Sequence, residues 1–252
     1  MTDGAALPSI RHAASDGRSR QALVFDFDGL LMDTETTLVE GWRAVWAAHG
    51  LTLDLGDGFW PDHGGDVTAD RLDRLGALVG AGFDRTGSHG HFLAERERLH
   101  RTLDLCPGIR EWLADARDAG LPCAVASSSP LPWVRDHLTR ADVFDWFTVV
   151  ATGDEVSAHK PDPAVYRLAL DRLGVSPAAA VAVEDTPHGV AAARAAGMPT
   201  VAIPNPFADR ALFAGADLVL TSAADLSLAD VLTRLQRRNP GSAGHSNDAL
   251  IR

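Results

Sequence analysis

Apolar residues along the chain follow two rhythms. Ala22 to Phe25 form a short continuous apolar run, the signature of a strand buried on both faces, and we read a strand over 22–27. From about residue 34 the spacing becomes helical: Leu38, Trp42, Val45 and Trp46 share one face, and His49-Gly50 stops the element. The stretch LTLDLGDGFWPDHGGDVTAD is irregular and glycine-rich. Helical spacing returns over 67–79 and 91–103, with the segment GAGFDRTGSHG between them read as loose. After Pro107-Gly108 strands and helices alternate regularly. Helices are expected at 108–119, 131–140, 163–173, 187–196 and 226–236. Strands are expected in LPCAVASSS, FTVVA (147–151), AAVAVED, MPTVAIP and DLVLT, and Ser176-Pro177 reads as a helix N-cap followed by proline.

This alternation implies an α/β fold, a Rossmann-like doubly wound parallel sheet with helices on both faces. The expected core is 21–33 plus 105–236, interrupted by a helical insertion at 34–104 directly after the first strand. Residues 1–20 and 237–252 lack apolar periodicity and read as a flexible arm and tail.

Charge and composition narrow the partners. A net charge of −11 disfavours nucleic acid and anionic membranes, which would be repelled, but leaves room for a small anionic substrate held by local cations. No apolar run has the length of a membrane span, and the first residues lack the apolar core of a signal peptide. Cys106 and Cys123 have no metal-type spacing. The expectation is a cytoplasmic protein with two reduced thiols, a monomer or weak dimer. Of the 23 basic residues counted as Lys plus Arg, only Lys160 is a lysine. A compact ammonium can approach a phosphate where a broad guanidinium fits poorly.

Candidate chemistry gathers at the strand ends, where parallel sheets bind their ligands. Asp26 and Asp28 follow the first strand, Ser127 to Ser129 the second, Lys160 lies in the loop after the third, and Glu184-Asp185 close the fourth. Each group alone has a plain structural explanation: a turn, a surface loop, a helix cap. Together, on one edge, they are chemically complementary. Carboxylates suit Mg²⁺, while a lysine, a hydroxyl and backbone N–H groups at a helix start suit a phosphate.

With DFDG at 26–29, a hydrophobic strand ending in Ser127, Lys160 in HKPDP and VEDTPHG at 183–189, the chain resembles the haloacid dehalogenase-like hydrolases. It is most similar to the branch of the β-phosphoglucomutases and small sugar-phosphate phosphatases. The resemblance implies that 34–104 is a helical cap domain and that Asp26 is the nucleophile of an aspartyl-phosphate mechanism. It further implies that Asp28 is the general acid and base, and that Ser127, Ser128 and Lys160 bind the phosphate. Mg²⁺ would lie among Asp26, the Asp28 backbone carbonyl, Glu184 and Asp185.

The expected activity is hydrolysis of a small phosphomonoester, a sugar phosphate by this resemblance. Trp42, His63 and Asp66 are candidate specificity residues of the cap. A hexose-phosphate mutase is the alternative. Leu38 stands where the β-phosphoglucomutases carry histidine, and no lysine lies in 34–104, which favours the phosphatase. A receiver-like phospho-accepting module is a further alternative, disfavoured by the first-strand position of Asp26 and by the insertion.

Overall fold

A computed structural model describes residues 22–56, 59 and 67–238. The expected arm at 1–20, most of the expected tail, and His63 and Asp66 lie outside the described residues.

Six strands, β1 (Ala22–Phe25), β2 (Cys123–Ala126), β3 (Phe147–Ala151), β4 (Ala180–Glu184), β5 (Thr200–Ala202) and β6 (Leu218–Val219), form one parallel sheet in the order β3-β2-β1-β4-β5-β6. The order reverses direction at β1, so the strand carrying the DFDG motif is central and adjoins both β2 and β4.

Side-chain alternation sorts residues to the two faces. Leu23 and Phe25, Cys123 and Val125, and Val181 and Val183 pack into one cluster with Ile109, Trp112, Val134, Leu138 and Val231. These partners come from α4 (Ile109–Asp118), α5 (Leu131–Arg140) and α8 (Leu228–Arg238). The opposite face is built of Ala22, Val24, Ala124, Ala126, Ala180 and Ala182, against Val165, Tyr166, Ala169, Ala192 and Ala193. The last five belong to α6 (Ala164–Leu173) and α7 (Pro187–Ala195). This is the doubly wound arrangement that the alternation predicts.

Among the described residues three helices lie between β1 and α4: α1 (Thr34–Ala48), α2 (Thr68–Val79) and α3 (Arg85–His100). They have an apolar cluster of their own, made of Val39, Trp42, Val45, Trp46, Leu72, Leu75 and Phe92 with Leu53 and Phe59. Each large side chain buried here contributes roughly 1.5–3 kcal/mol. Trp42 and Trp46 are the centre of that cluster: Trp42 stacks on Phe92 at 4.1 Å and meets Trp46 edge-on at 5.8 Å. The chain leaves the sheet and returns to it at one place, since Met32 bridges Leu105 and Cys106 N–H donates to Leu31 O at 2.8 Å.

Two expectations need correction. The third helix begins at Arg85, not 91, and ends at His100. Asp84 caps it by accepting from Gly87 N–H at 2.9 Å, so a local side-chain cap starts a helix inside a segment whose glycines read as loose. Ser176 makes no side-chain cap bond, and only a short 3-10 turn, Pro177–Ala179, follows it. Both cysteines are free.

Candidate active site

Parallel register carries the motif residues to one edge. Asp26 N–H donates to Val183 O at 2.9 Å, which aligns the end of β1 with Glu184 and Asp185 at the end of β4. Glu184 and Asp185 are completely buried and Asp26 nearly so. Burying three carboxylates requires compensation, and Lys160, itself buried, supplies part of it. Its Nζ donates to Asp26 Oδ1 and, at 2.6 Å, to Glu184 Oε1. The chain's single tyrosine, Tyr166, donates its hydroxyl to the same Glu184 oxygen at 2.6 Å. Glu184 Oε2 accepts the N–H groups of Asp185 and Thr186, at 3.1 and 3.4 Å.

Two glycines make room for these acids. A Cβ on Gly189 would lie 1.9 Å from the Glu184 carboxyl, and one on Gly29, whose φ is +80°, would lie 2.1 Å from Asp185 Oδ2.

The charge does not close. Three carboxylates face one ammonium, and Asp185 Oδ1 is buried without a hydrogen-bond partner, while Asn205 Nδ2 donates to Oδ2 at 2.9 Å. Burial pushes the Asp26 carboxyl up to about 7; Lys160 opposes that rise and Glu184 adds to it. Asp185 is raised well above the usual carboxylate range by burial and then by Asp26 and Glu184. Burial alone would lower Lys160, but Asp26 and Glu184 outweigh it and hold the ammonium charged. One oxygen from each of the three acids lies within 4.8 Å of the others. An all-oxygen donor set with excess negative charge and one free ligand atom fits a hard divalent cation.

Asp28 belongs to a different arrangement. Its carboxylate turns to neutral donors: Thr34 Oγ1 at 2.9 Å and Trp133 Nε1 at 3.0 Å on Oδ1, and Ser129 Oγ at 2.6 Å on Oδ2. Ser127 is buried and its Oγ accepts from Ser129 N–H at 3.0 Å, which shapes the turn after β2. Ser128 is exposed, so among the three serines the hydroxyl that meets Asp28 is that of Ser129. Glu35 stands at the rim beside Gly29. Burial and then Asp28 lift its carboxyl to about 7, against the pull of Arg96 and Arg71.

Trp42, a candidate specificity residue, is fully buried within the helical cluster and presents no surface to a ligand. Arg71 lies in the same cluster, its guanidinium 4.1 Å from the Phe59 ring and donating to Phe59 O at 2.9 Å. Among the described residues, no helix is long and apolar enough to cross a membrane.

The family model of the haloacid dehalogenase-like hydrolases matches residues 23–203. The chain belongs to that family. Across its length it is 37% identical to YhcW of Bacillus subtilis (strain 168) over 224 residues, which is 87% of this chain and 99% of the relative. Hexitol phosphatase B of Escherichia coli (strain K12) is 32% identical over 225 residues, 86% of this chain and 99% of that one. Among solved structures, a CbbY mutant from Rhodobacter sphaeroides in complex with xylulose-(1,5)bisphosphate superposes with a TM-score of 0.63 at 32% identity, covering 83% of this chain and 97% of that one.

Within this haloacid dehalogenase-like hydrolase, Asp26, Lys160, Glu184 and Asp185 converge as their strand-end positions predict. Ser129, Trp133, Tyr166 and Thr34 complete the site and were not assigned roles from sequence. Ser129 was legible as part of the serine run. Trp133 and Tyr166 carry no local signal, being aromatics on amphipathic helices, where packing is the ordinary reading.

Proposed function

We propose that the chain is a Mg²⁺-dependent phosphatase that hydrolyses a small phosphomonoester, a sugar phosphate, through an aspartyl-phosphate on Asp26. One observation carries this reading. A buried carboxylate paired with the chain's lone lysine sits in a three-acid cluster, while a second carboxylate two residues away is held apart by neutral donors. The two acids therefore suit different tasks.

Asp26 attacks phosphorus, its approach to an anionic phosphate permitted by the Lys160 ammonium. Asp28 gives a proton to the departing alkoxide and then takes one from the water that hydrolyses the acyl phosphate. Ser127 and Lys160 hold the phosphate, and the exposed Ser128 contributes at most its backbone. Asp26, Glu184 and Asp185, with the Asp28 carbonyl, would hold the cation, which neutralises phosphate charge and polarises its oxygens when bound. Helices α1–α3 act as a cap over this edge, hinged where Met32 and Leu105 meet. The substrate class follows the relatives, one named for hexitol phosphates and one solved with a sugar bisphosphate. The fully buried position of Trp42 leaves the choice of sugar to other cap residues, with His63 and Asp66 as the remaining candidates.

The test is phosphate release from a panel of sugar, polyol and aryl phosphates, in Mg²⁺ and in chelator. Parent enzyme should release phosphate only with Mg²⁺, and Asp26→Asn should abolish turnover while melting as a folded protein. Substantial residual turnover by Asp26→Asn defeats the nucleophile assignment.

A further inference from the structure

Two of the three donors on Asp28 share one oxygen. Trp133 Nε1–H and the Thr34 hydroxyl both point at Oδ1, and Ser129 Oγ alone meets Oδ2. An indole N–H donates and never accepts, so the oxygen facing it must offer a lone pair. Thr34 Oγ1 accepts from Gly29 N–H at 3.2 Å, which directs its own hydrogen toward Asp28. Both lone pairs of Oδ1 are then occupied. A serine hydroxyl can donate or accept, so Oδ2 is the oxygen free to carry a hydrogen.

We propose that Trp133 is a positioning residue that makes Oδ2 the proton-exchanging oxygen of Asp28 and ties its aim to the seating of α3. The tie is visible in what grips the indole. Its own helix supplies His137, whose ring lies at 4.2 Å and whose Nδ1 bonds Trp133 O at 2.9 Å. The end of α3 supplies the other side: His100 meets the indole edge-on at 5.1 Å, and the Arg96 guanidinium lies over it at 5.3 Å. His100 in turn bonds Thr37 Oγ1 at 2.8 Å, and the Thr37 hydroxyl donates to Thr34 O at 2.7 Å. Both residues that grip Asp28 Oδ1 are therefore anchored on His100. If α3 lifts away, the indole loses that wall and Asp28 loses a fixed donor. The acid is correctly aimed only when the helices are seated over the site.

The inference rests on the reading of Asp28 as acid and base, and the experiment separates the two. Trp133 is replaced by phenylalanine and, as an isostere, by β-(3-benzothienyl)alanine, in which sulfur replaces the indole N–H. Rapid-quench measurement follows release of the first product from a hexitol 6-phosphate, or the best alkyl phosphate of the panel, and from p-nitrophenyl phosphate. An alkoxide needs the proton from Asp28 to leave, whereas nitrophenolate departs without it.

Both variants should release the alcohol ~10-fold more slowly, equivalent to about 1.4 kcal/mol. KM should stay within about twofold, and the nitrophenolate burst should be unchanged. A loss of equal size on both substrates, or an unchanged alkyl phosphate rate in the folded isostere, overturns the proposal. Asp28→Asn serves as the reference. If it leaves alkyl phosphate cleavage intact, the acid assignment falls and the Trp133 role with it. If it abolishes cleavage while the isostere is fully active, only the Trp133 role falls.

Discussion

Replacing Lys160 with methionine removes one ammonium and keeps most of the stem volume. In the parent, that ammonium touches Asp26 and Glu184, and all three groups are buried. Removing one partner of a buried ion pair costs about 3–5 kcal/mol, because the charge left behind has neither water nor a counter-ion. Here two carboxylates are left behind, though Tyr166 and two backbone N–H groups still serve Glu184, so the same range applies. For a chain of this length ~1 kcal/mol moves the melting temperature by roughly 2–4 °C, so a fall of roughly 6–20 °C is expected. The assay is thermal unfolding in chelator, where no cation can substitute. Adding Glu184→Gln to Lys160→Met should recover part of the loss, because it removes one of the stranded charges. The coupling in that double-mutant cycle should exceed about 1 kcal/mol. A Lys160→Met protein melting within about 2 °C of the parent in chelator, or a cycle that is additive, would refute the charge argument.

Acid should weaken the protein through its buried histidines. Burial, with Arg96 and His137, lowers His100 from 6.5 to about 3, and burial lowers His137 too. Arg140 of α5 acts in the same direction on both, while Asp28 and the bond to Trp133 O oppose it at His137. At His100 the unfolded chain then binds more protons than the folded one between about 3 and 6.5, so the stability this residue adds is present above 6.5 and lost as pH falls, while the raised carboxyls of Asp26, Glu35 and Asp185 act in the opposite direction. In chemical denaturation at pH 7.5, 6 and 5 the stability of the parent relative to His100→Gln should fall as pH falls; a difference that does not change with pH would remove His100 from the account. Gly189→Ala should displace the Glu184 carboxyl, since no Cβ fits 1.9 Å from it; measured phosphate release should fall at least ~10-fold, and a fully active variant would contradict the packing.

The sequence by itself determined the sheet and most of the cluster of acids and lysine at its strand ends. Buried parallel strands must be apolar along their whole length, so Ala22–Phe25 and Ala180–Glu184 announce themselves, and the acids that end them break the pattern at the point where the chain reaches the edge. Lys160 stood out because it is the chain's one lysine. Burial in a helical cluster was legible for Trp42 and Trp46 from their shared face, although the structure then denies Trp42 any contact with a ligand. The start of α3 was hidden because glycine-rich composition masked a cap at Asp84, an interaction of one side chain with one N–H.

Only the tertiary structure decided which neutral groups hold Asp28. Trp133 is 105 residues away in sequence and Ser129 is 101, and neither differs locally from a packing aromatic or a turn serine. It also decided that Asp185 keeps an unpartnered oxygen while Glu184 is fully bonded, a distinction between adjacent acids that no spacing encodes. Strand and helix patterns are local, set by which side chains must leave water. The aim of a carboxyl oxygen depends on hydrogen bonds across the fold, and these exist only once distant elements are packed together.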